Sequence, residues 1–364
     1  MKKTFIILAT IGFLLFISRI YAQSPLDTRK QVKLEGIENI TFKDAAFKSY
    51  MNEIKTAPLP DDQKLLLFRK MMQFAGSYEG QKAILKEISQ LKTYQALFYV
   101  ANYLNNPSLA SPASQAAIAI ALPSSNNKDG MAGNMVREIL TKASSQLKRK
   151  DRKLISQYLS AMPADEGFYP MFNGKDLSGW QGLAEDNPIK RAAMDPSELA
   201  VKQREADKAM LDNWSVKDGC IWFSGNGKNL CSVKEYGNFE MFVDWRITKD
   251  GDSGIYLRGS PQVQIWDATK IKVGSGGLYN NKTNMNNPLK PVDNPTGDWN
   301  SFRIIMIGEK VSVWLNGELV VDNVTLENYW DRSIPIFPKG TIELQAHGNE
   351  LAFRDIYVRE IISR

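Results

Sequence analysis

Residues 239–267 read FEMFVDWRITKDGDSGIYLRGSPQVQIWD, three apolar runs in which polar side chains return at every second position. A period of two marks β-strands, because successive side chains point to opposite faces of the pleat. In the first run Met241, Val243, Trp245 and Ile247 take one face, and Phe242, Asp244 and Arg246 the other. In the second, Ile255 and Leu257 point inward while Tyr256 and Arg258 point outward. In the third, Val263 and Ile265 go in and Gln262, Gln264 and Trp266 go out. Residues 341–348, TIELQAHG, repeat the device: Ile342, Leu344 and Ala346 lie inward, and Glu343, Gln345 and the sole histidine, His347, outward.

Further short runs with the same period, separated by glycine-rich turns, extend from CIWFS at 220–224 to AFRDIYVRE at 352–360. So many strands with tight turns predict a β-sandwich of two antiparallel sheets over 166–364. WLNGEL at 314–319 is a hairpin with an Asn-Gly turn. One insertion, 187–213, is helical and opens its long segment with Asp195 and Pro196, suited to a helix start; it is expected over an edge or the mouth of the sandwich. Before Pro163 the period is different. Runs such as LLLFRKMMQFAG at 65–76 and YQALFYVANYL at 94–104 repeat their apolar residues at three and four, which predicts an all-α domain over 23–165. Paired helices stacked as in HEAT-like solenoids, or a plain bundle, both satisfy that pattern.

The first 22 residues, two lysines and a long apolar run ending at Tyr21-Ala22, read as a secretory signal peptide. Its removal predicts a periplasmic or secreted protein with no membrane span. Loss of Lys2, Lys3 and Arg19 leaves 43 basic against 40 acidic side chains, so the charge balance points away from nucleic acid. Two cysteines and one histidine exclude zinc-finger and His-cluster sites. Cys220 and Cys231 flank a GNGKN turn between strand-like runs; a disulfide across a hairpin and two buried thiols are both compatible with it.

The outward residues of the four strands, if they share one face, form a surface rich in Asp, Arg, Gln, His, Tyr and Trp. Amides, guanidiniums and aromatic planes suit a neutral sugar, which asks for directed hydrogen bonds and a flat platform for its C–H face. A solvated face stitched by Asp–Arg pairs is the competing account. The loop GSGGLYNN at 274–281 adds Tyr279 and Asn281, with glycines that let backbone approach a ligand or simply shape the loop. The basic run LKRKDRK at 147–153 reads as a solvated helix end, although the helical domain offers room for a protein partner.

FNGKDLSGW (172–180), NPIKRAAMDPSELA (187–200), GDSGIYLRGSPQVQIWD (251–267), GSGGLYNN, VWLNGELVVDN (313–323) and TIELQAHG resemble, in order, the 3-keto-disaccharide hydrolase family. The resemblance implies a concanavalin-like jelly roll and exported carbohydrate metabolism. It also implies glycosidase-type action, by hydrolysis or as a lyase, on sugars oxidised to a ketone at C3. Such a ketone acidifies the C2 hydrogen, so a base can form an enolate, the C1 aglycone leaves by β-elimination, and water adds to the enone. Asp244 and His347 are then the candidate proton-transfer groups and Arg258 the cation for the developing oxyanion. Tyr256, Gln262, Gln264, Trp266, Tyr279, Asn281 and Gln345 are expected to bind an oligosaccharide or glycoside. Many members carry a glutamate where this chain has Gln262, and an amide cannot serve as a base. No cofactor is demanded; a divalent cation is compatible, with Asp267 as a ligand. A noncatalytic carbohydrate-binding sandwich is the alternative function, and few acids at readable spacing weaken an ordinary two-carboxylate glycosidase.

Overall fold

The computed structural model describes residues 40–124, 128–163 and 166–362. The signal-peptide expectation lies outside the described residues. Among them, no helix is long and apolar enough to cross a membrane. Of the described residues, those from Pro60 onward form one compact unit, and those up to Leu59 belong to another, whose described helix is α1 (Ile40–Thr56).

Six helices open the larger unit: α2 (Asp61–Met72), α3 (Tyr78–Ile88), α4 (Tyr94–Ala101), α5 (Ala110–Ala121), α6 (Asn134–Ser144) and α7 (Arg149–Ala161). Their apolar stripes bury Leu65, Phe68, Ile84, Leu97, Ala117 and Leu140 among neighbouring helices. Ser77 and Thr93 cap α3 and α4 by accepting from the amides of Gly80 and Ala96.

Thirteen strands follow among the described residues: β1 (Tyr169–Pro170), β2 (Trp180–Gly182), β3 (Trp214–Lys217), β4 (Cys220–Phe223), β5 (Leu230–Tyr236), β6 (Phe239–Ile247), β7 (Asp252–Leu257), β8 (Ser260–Trp266), β9 (Asn300–Ile307), β10 (Lys310–Leu315), β11 (Glu318–Thr325), β12 (Gly340–Leu344) and β13 (Leu351–Glu360). They make two antiparallel sheets. The larger runs β11-β10-β9-β6-β13-β4-β3, with β1 on β13, and the smaller β2-β5-β12-β7-β8. Met241, Val243, Trp245, Phe302 and Phe353 from the first meet Ile255, Val263, Ile265, Ile342 and Leu344 from the second in one core.

Two features position everything else. The helical layer covers the outer face of the larger sheet, so β6 is buried on both faces. Arg69 of α2 reaches Asp244 and Asp355, Phe98 of α4 packs on Tyr357 at 4.5 Å, and Phe168 packs on Phe242 at 4.8 Å. A bulge in β13 helps: its register passes from Arg354 opposite Asp244 to Tyr357 opposite Phe242, and the extra residue, Asp355, takes φ 51°. The outer face of the smaller sheet, by contrast, stays open. Its edge strand β2 is covered by the insertion, made of α8 (Pro188–Ala193) and α9 (Pro196–Asn213), where a Cβ on Gly182 would fall 2.1 Å from the Ala206 carbonyl oxygen.

The cysteines do not face each other on a hairpin. Cys220 belongs to the larger sheet and Cys231 to the smaller, both are buried, and both are free. The parity reading assigned each to a strand correctly but missed that the chain changes sheets between them.

Candidate functional site

The same change of sheet divides the expected polar face in two. β7, β8 and β12 lie side by side in the smaller sheet, while β6 sits in the larger one. On the open face of the smaller sheet is a cleft of about 480 Å³, within the ordinary range of small-molecule sites. Tyr256, Gln262, Gln264 and Gln345 form its floor, and Tyr279 and His347 also line it.

The floor is a chain of oriented amides. Gln264 donates from Nε2 to Asp252 Oδ1 at 2.7 Å and to the Ser253 carbonyl at 2.9 Å, which fixes its Oε1 to accept from Gln262 Nε2 at 2.6 Å. Gln262 Oε1 in turn takes a long bond from Asn280 at 3.4 Å. Gln345 Nε2 lies 3.4 Å from the Tyr256 hydroxyl, and Gln345 Oε1 is buried with no partner. Among the described residues no donor reaches it, and a buried acceptor without a donor is costly. Burial, followed by the charge of Glu343, raises the Tyr256 phenol above its ordinary value. It therefore stays a donor at neutral pH.

At one end of the strands His347 Nδ1 stands 3.8 Å from Asp252 Oδ2, an ion-pair distance when the imidazole is protonated. Asp252 begins β7 and His347 follows β12, so adjacency of these strands brings together residues 95 positions apart. Lys228 and Asn229 border the cleft from the turn before β5, and Leu183 and Asp186 from the loop between β2 and the insertion; Tyr329 and Trp330 come from the segment after β11. None of these was singled out from the sequence. Lys228, Asp186 and Asp252 sit in turns or at strand ends, where parity carries no signal.

Five expected site residues are not in the cleft lining. Asp244 is buried on the back of the larger sheet, held by Arg69 at 2.9 Å and Arg354 at 3.2 Å. Arg258 occupies the β7–β8 hairpin turn with Gly259, at φ 55° and 71°, a two-residue turn that needs positive φ at both positions. Its guanidinium is spent on the carbonyls of Gly237 and Phe337 and the side chain of Asn238. Asn281 is buried, donating to the carbonyls of Met285 and Thr325 while accepting from the Glu327 amide. Asp267 accepts from Thr269, from the Asp250 amide and from Thr296, which occupies the lone pairs a metal would need. Among the described residues no group of three or more His, Cys, Asp or Glu side chains is arranged to hold a metal ion. Trp266 stands behind the lining, edge-on to Tyr279 at 5.1 Å.

The glycines of the 274–281 loop serve the fold. Gly276 and Gly277 pair with the free edge of β8 through Gln264, and a Cβ on Gly277 would meet the Asn286 carbonyl oxygen at 2.4 Å.

An open cleft of amides, aromatic rings and one His–Asp pair on an antiparallel sandwich is the arrangement of a carbohydrate-active protein. The chain belongs to the family described as the 3-keto-alpha-glucoside-1,2-lyase-like domain, whose pattern matches residues 167–359. It is similar to the 3-keto-disaccharide hydrolase of Bacteroides thetaiotaomicron, with 22% identity over 254 residues, 54% of this chain and 80% of that protein. Two solved structures from Parabacteroides distasonis ATCC 8503, each called a "putative glycosyl hydrolase", are similar too. One has a TM-score of 0.41 at 24% identity, covering 55% of this chain and 85% of its own. The other has a TM-score of 0.40 at 21% identity, covering 59% and 98%.

Proposed function

We propose that this protein is exported behind a signal peptide at 1–22 and cleaves 3-keto-glycosides in the cleft of the smaller sheet. On this reading, residues 166–364 form a concanavalin-like jelly roll carrying the site, and residues 23–165 a HEAT-like or bundled helical domain. The observation that supports the reading best is the His347–Asp252 pair at the end of a floor made by Tyr256, Gln264 and Gln345, in a chain of this family.

The chemistry follows from those positions. The C3 ketone lowers the pKa of the C2 hydrogen. His347 takes that proton, and Asp252 balances the imidazolium that forms. Electrons from the C–H bond move into an enolate, whose oxygen is offered Lys228, the cationic side chain that borders the cleft where Arg258 does not reach. Collapse of the enolate expels the aglycone oxygen from C1 with its electron pair, and the Tyr256 hydroxyl is placed to protonate it. Water then adds at C1 of the enone, giving one proton to the Tyr256 phenolate as its oxygen bonds, and the His347 imidazolium protonates C2, so both groups are restored and the net change is hydrolysis. Gln264, Gln262 and Gln345 hold the sugar hydroxyls throughout.

Purified protein incubated with a 3-keto-glucoside and with its unoxidised parent tests the proposal. Turnover of the keto form alone, with solvent deuterium appearing at C2, is the expected result. Binding of both without turnover would make the cleft a carbohydrate-binding site, and cleavage of the parent would make it an ordinary glycosidase.

A further inference from the structure

We infer that Asn229, clamped by the buried Glu343, is a positioning residue that holds His347 opposite Asp252, an inference that rests on the proposed function for its catalytic consequence. The His347 side chain is 59% exposed, so packing does not fix the imidazole. Its place beside Asp252 is set by where the backbone carries it.

That backbone has left the sheet. β12 ends at Leu344, opposite Leu230 of β5 and Ile255 of β7, and His347 lies three residues further on. Side chains then do what the ladder no longer does. On the β7 side the Gln345 amide donates to the Gly254 carbonyl at 2.9 Å, and Ser253 Oγ donates to the Gln345 carbonyl at 2.8 Å. Amides alternate in direction along a strand, so the next one, Ala346 N–H, points toward β5. An unbroken ladder would give it the Lys228 carbonyl, two residues on from the Leu344–Leu230 pair. That carbonyl is engaged instead by the Trp214 indole, which donates Nε1–H to it at 2.9 Å. Asn229 Oδ1 takes its place, accepting from the Ala346 amide at 3.0 Å.

The Asn229 amide has one workable orientation. A backbone N–H can only donate, so Ala346 claims Oδ1, and Nδ2 is left to donate to Glu343 Oε2 at 3.0 Å. Glu343 is 1% exposed, and Thr341 Oγ1 donates to its other oxygen at 3.2 Å. One buried carboxyl thus sets the amide, the amide sets Ala346, and the next residue is the histidine. Lys228 precedes Asn229 in the chain, so the same clamp fixes the turn that carries this cation against the strand end that carries His347. Proton transfer is sensitive to such placement, because an error of about 1 Å can cost about 100-fold in rate.

The sole histidine gives a single imidazole Cε1–H resonance in tag-free protein, which reads its surroundings without substrate. The test records that resonance, together with kcat and KM on a 3-keto-glucoside, for wild type, Asn229→Ala, Asn229→Asp, and Asn229→Asp combined with Glu343→Gln. Asn229→Asp sets two carboxyls against each other. Adding Glu343→Gln restores the hydrogen bond with donor and acceptor exchanged, and leaves an oxygen for the Ala346 amide. The expected result is that each single variant shifts the His347 resonance and lowers kcat by about tenfold with KM little changed, and that the double variant returns both toward wild type. Arg69→Met, at the back of the larger sheet, is the control that leaves the resonance unmoved. An unmoved resonance in folded Asn229→Ala, a rise in KM alone, or a double variant no better than Asn229→Asp overturns the inference. Should the wild type turn over no 3-keto-glucoside, the proposed function fails, and the resonance alone still decides whether Asn229 positions His347.

Discussion

Arg69 Nη1 lies 2.9 Å from Asp244 Oδ2, with its other nitrogen 2.5 Å from Asp355, so one helical guanidinium bridges two carboxylates on the back of the larger sheet. Both acids also sit beside Arg354. Asp244 is thus a docking residue for the helical layer, and no atom of it faces the cleft. Removing one partner of a buried pair leaves an uncompensated charge. Arg69→Met is expected to destabilise the protein by about 3 kcal/mol in urea unfolding, and to leave kcat/KM on a 3-keto-glucoside unchanged under conditions where the variant is folded. Loss of turnover in a folded Arg69→Met protein would return Asp244 to the chemistry.

How far the sequence was legible follows from this pair. Parity placed Asp244 outside the sandwich core, and there it is. What parity does not encode is which sheet a strand joins or what covers its outer face. Asp244, Tyr256, Gln264 and Gln345 looked alike in sequence, yet one is under a helix and three are in a cleft. Arg258 failed for a local reason. Arg-Gly between two strands is a weaker turn signal than Asn-Gly, and its outward parity hid the left-handed backbone that turns the guanidinium away. The helical N-terminal region and the antiparallel C-terminal sheets were both readable, because hydrophobic period alone distinguishes them.

His347 and Asp252 carry the proton-transfer assignment. His347→Ala is expected to lower kcat by about 100-fold or more, the usual worth of a positioned general base. Asp252→Asn should cost less, about tenfold, because it removes only the charge that balances the imidazolium. A folded His347→Ala variant with wild-type turnover and C2 exchange would rule the histidine out.

Glu343 is the buried carboxyl beside the floor, opposite Tyr256 in register, accepting from Asn229 at 3.0 Å. Burial raises its pKa, against the pull of Asn229 and Arg191. A raised folded-state pKa gives stability that is complete below the unfolded carboxyl's 4.5 and is lost as pH climbs through the folded value. Glu343→Gln keeps an acceptor for Asn229 and has no proton to lose. The melting temperature of the variant relative to wild type should therefore rise between pH 4 and pH 8. A difference that stays constant with pH would show that Glu343 ionises normally.

Glu327 works in the opposite direction. Burial disfavours its charge, but the amides of Asn284, Lys282 and Thr283 overcome it and hold the carboxyl at about 2, against an ordinary 4.5. Its contribution is present above 4.5 and is lost as pH falls toward 2. Glu327→Gln offers one oxygen and two misplaced hydrogens to donors that need acceptors, a loss of about 2 kcal/mol for a charge-assisted set. Because those amides belong to the loop that carries Tyr279, the damage should be local as well as global. Limited proteolysis is expected to cut the variant within 279–285 at pH 7, and to cut the wild type there only near pH 3. Resistance of the variant at pH 7 would mean that Arg332 and Asn281 hold the loop without Glu327.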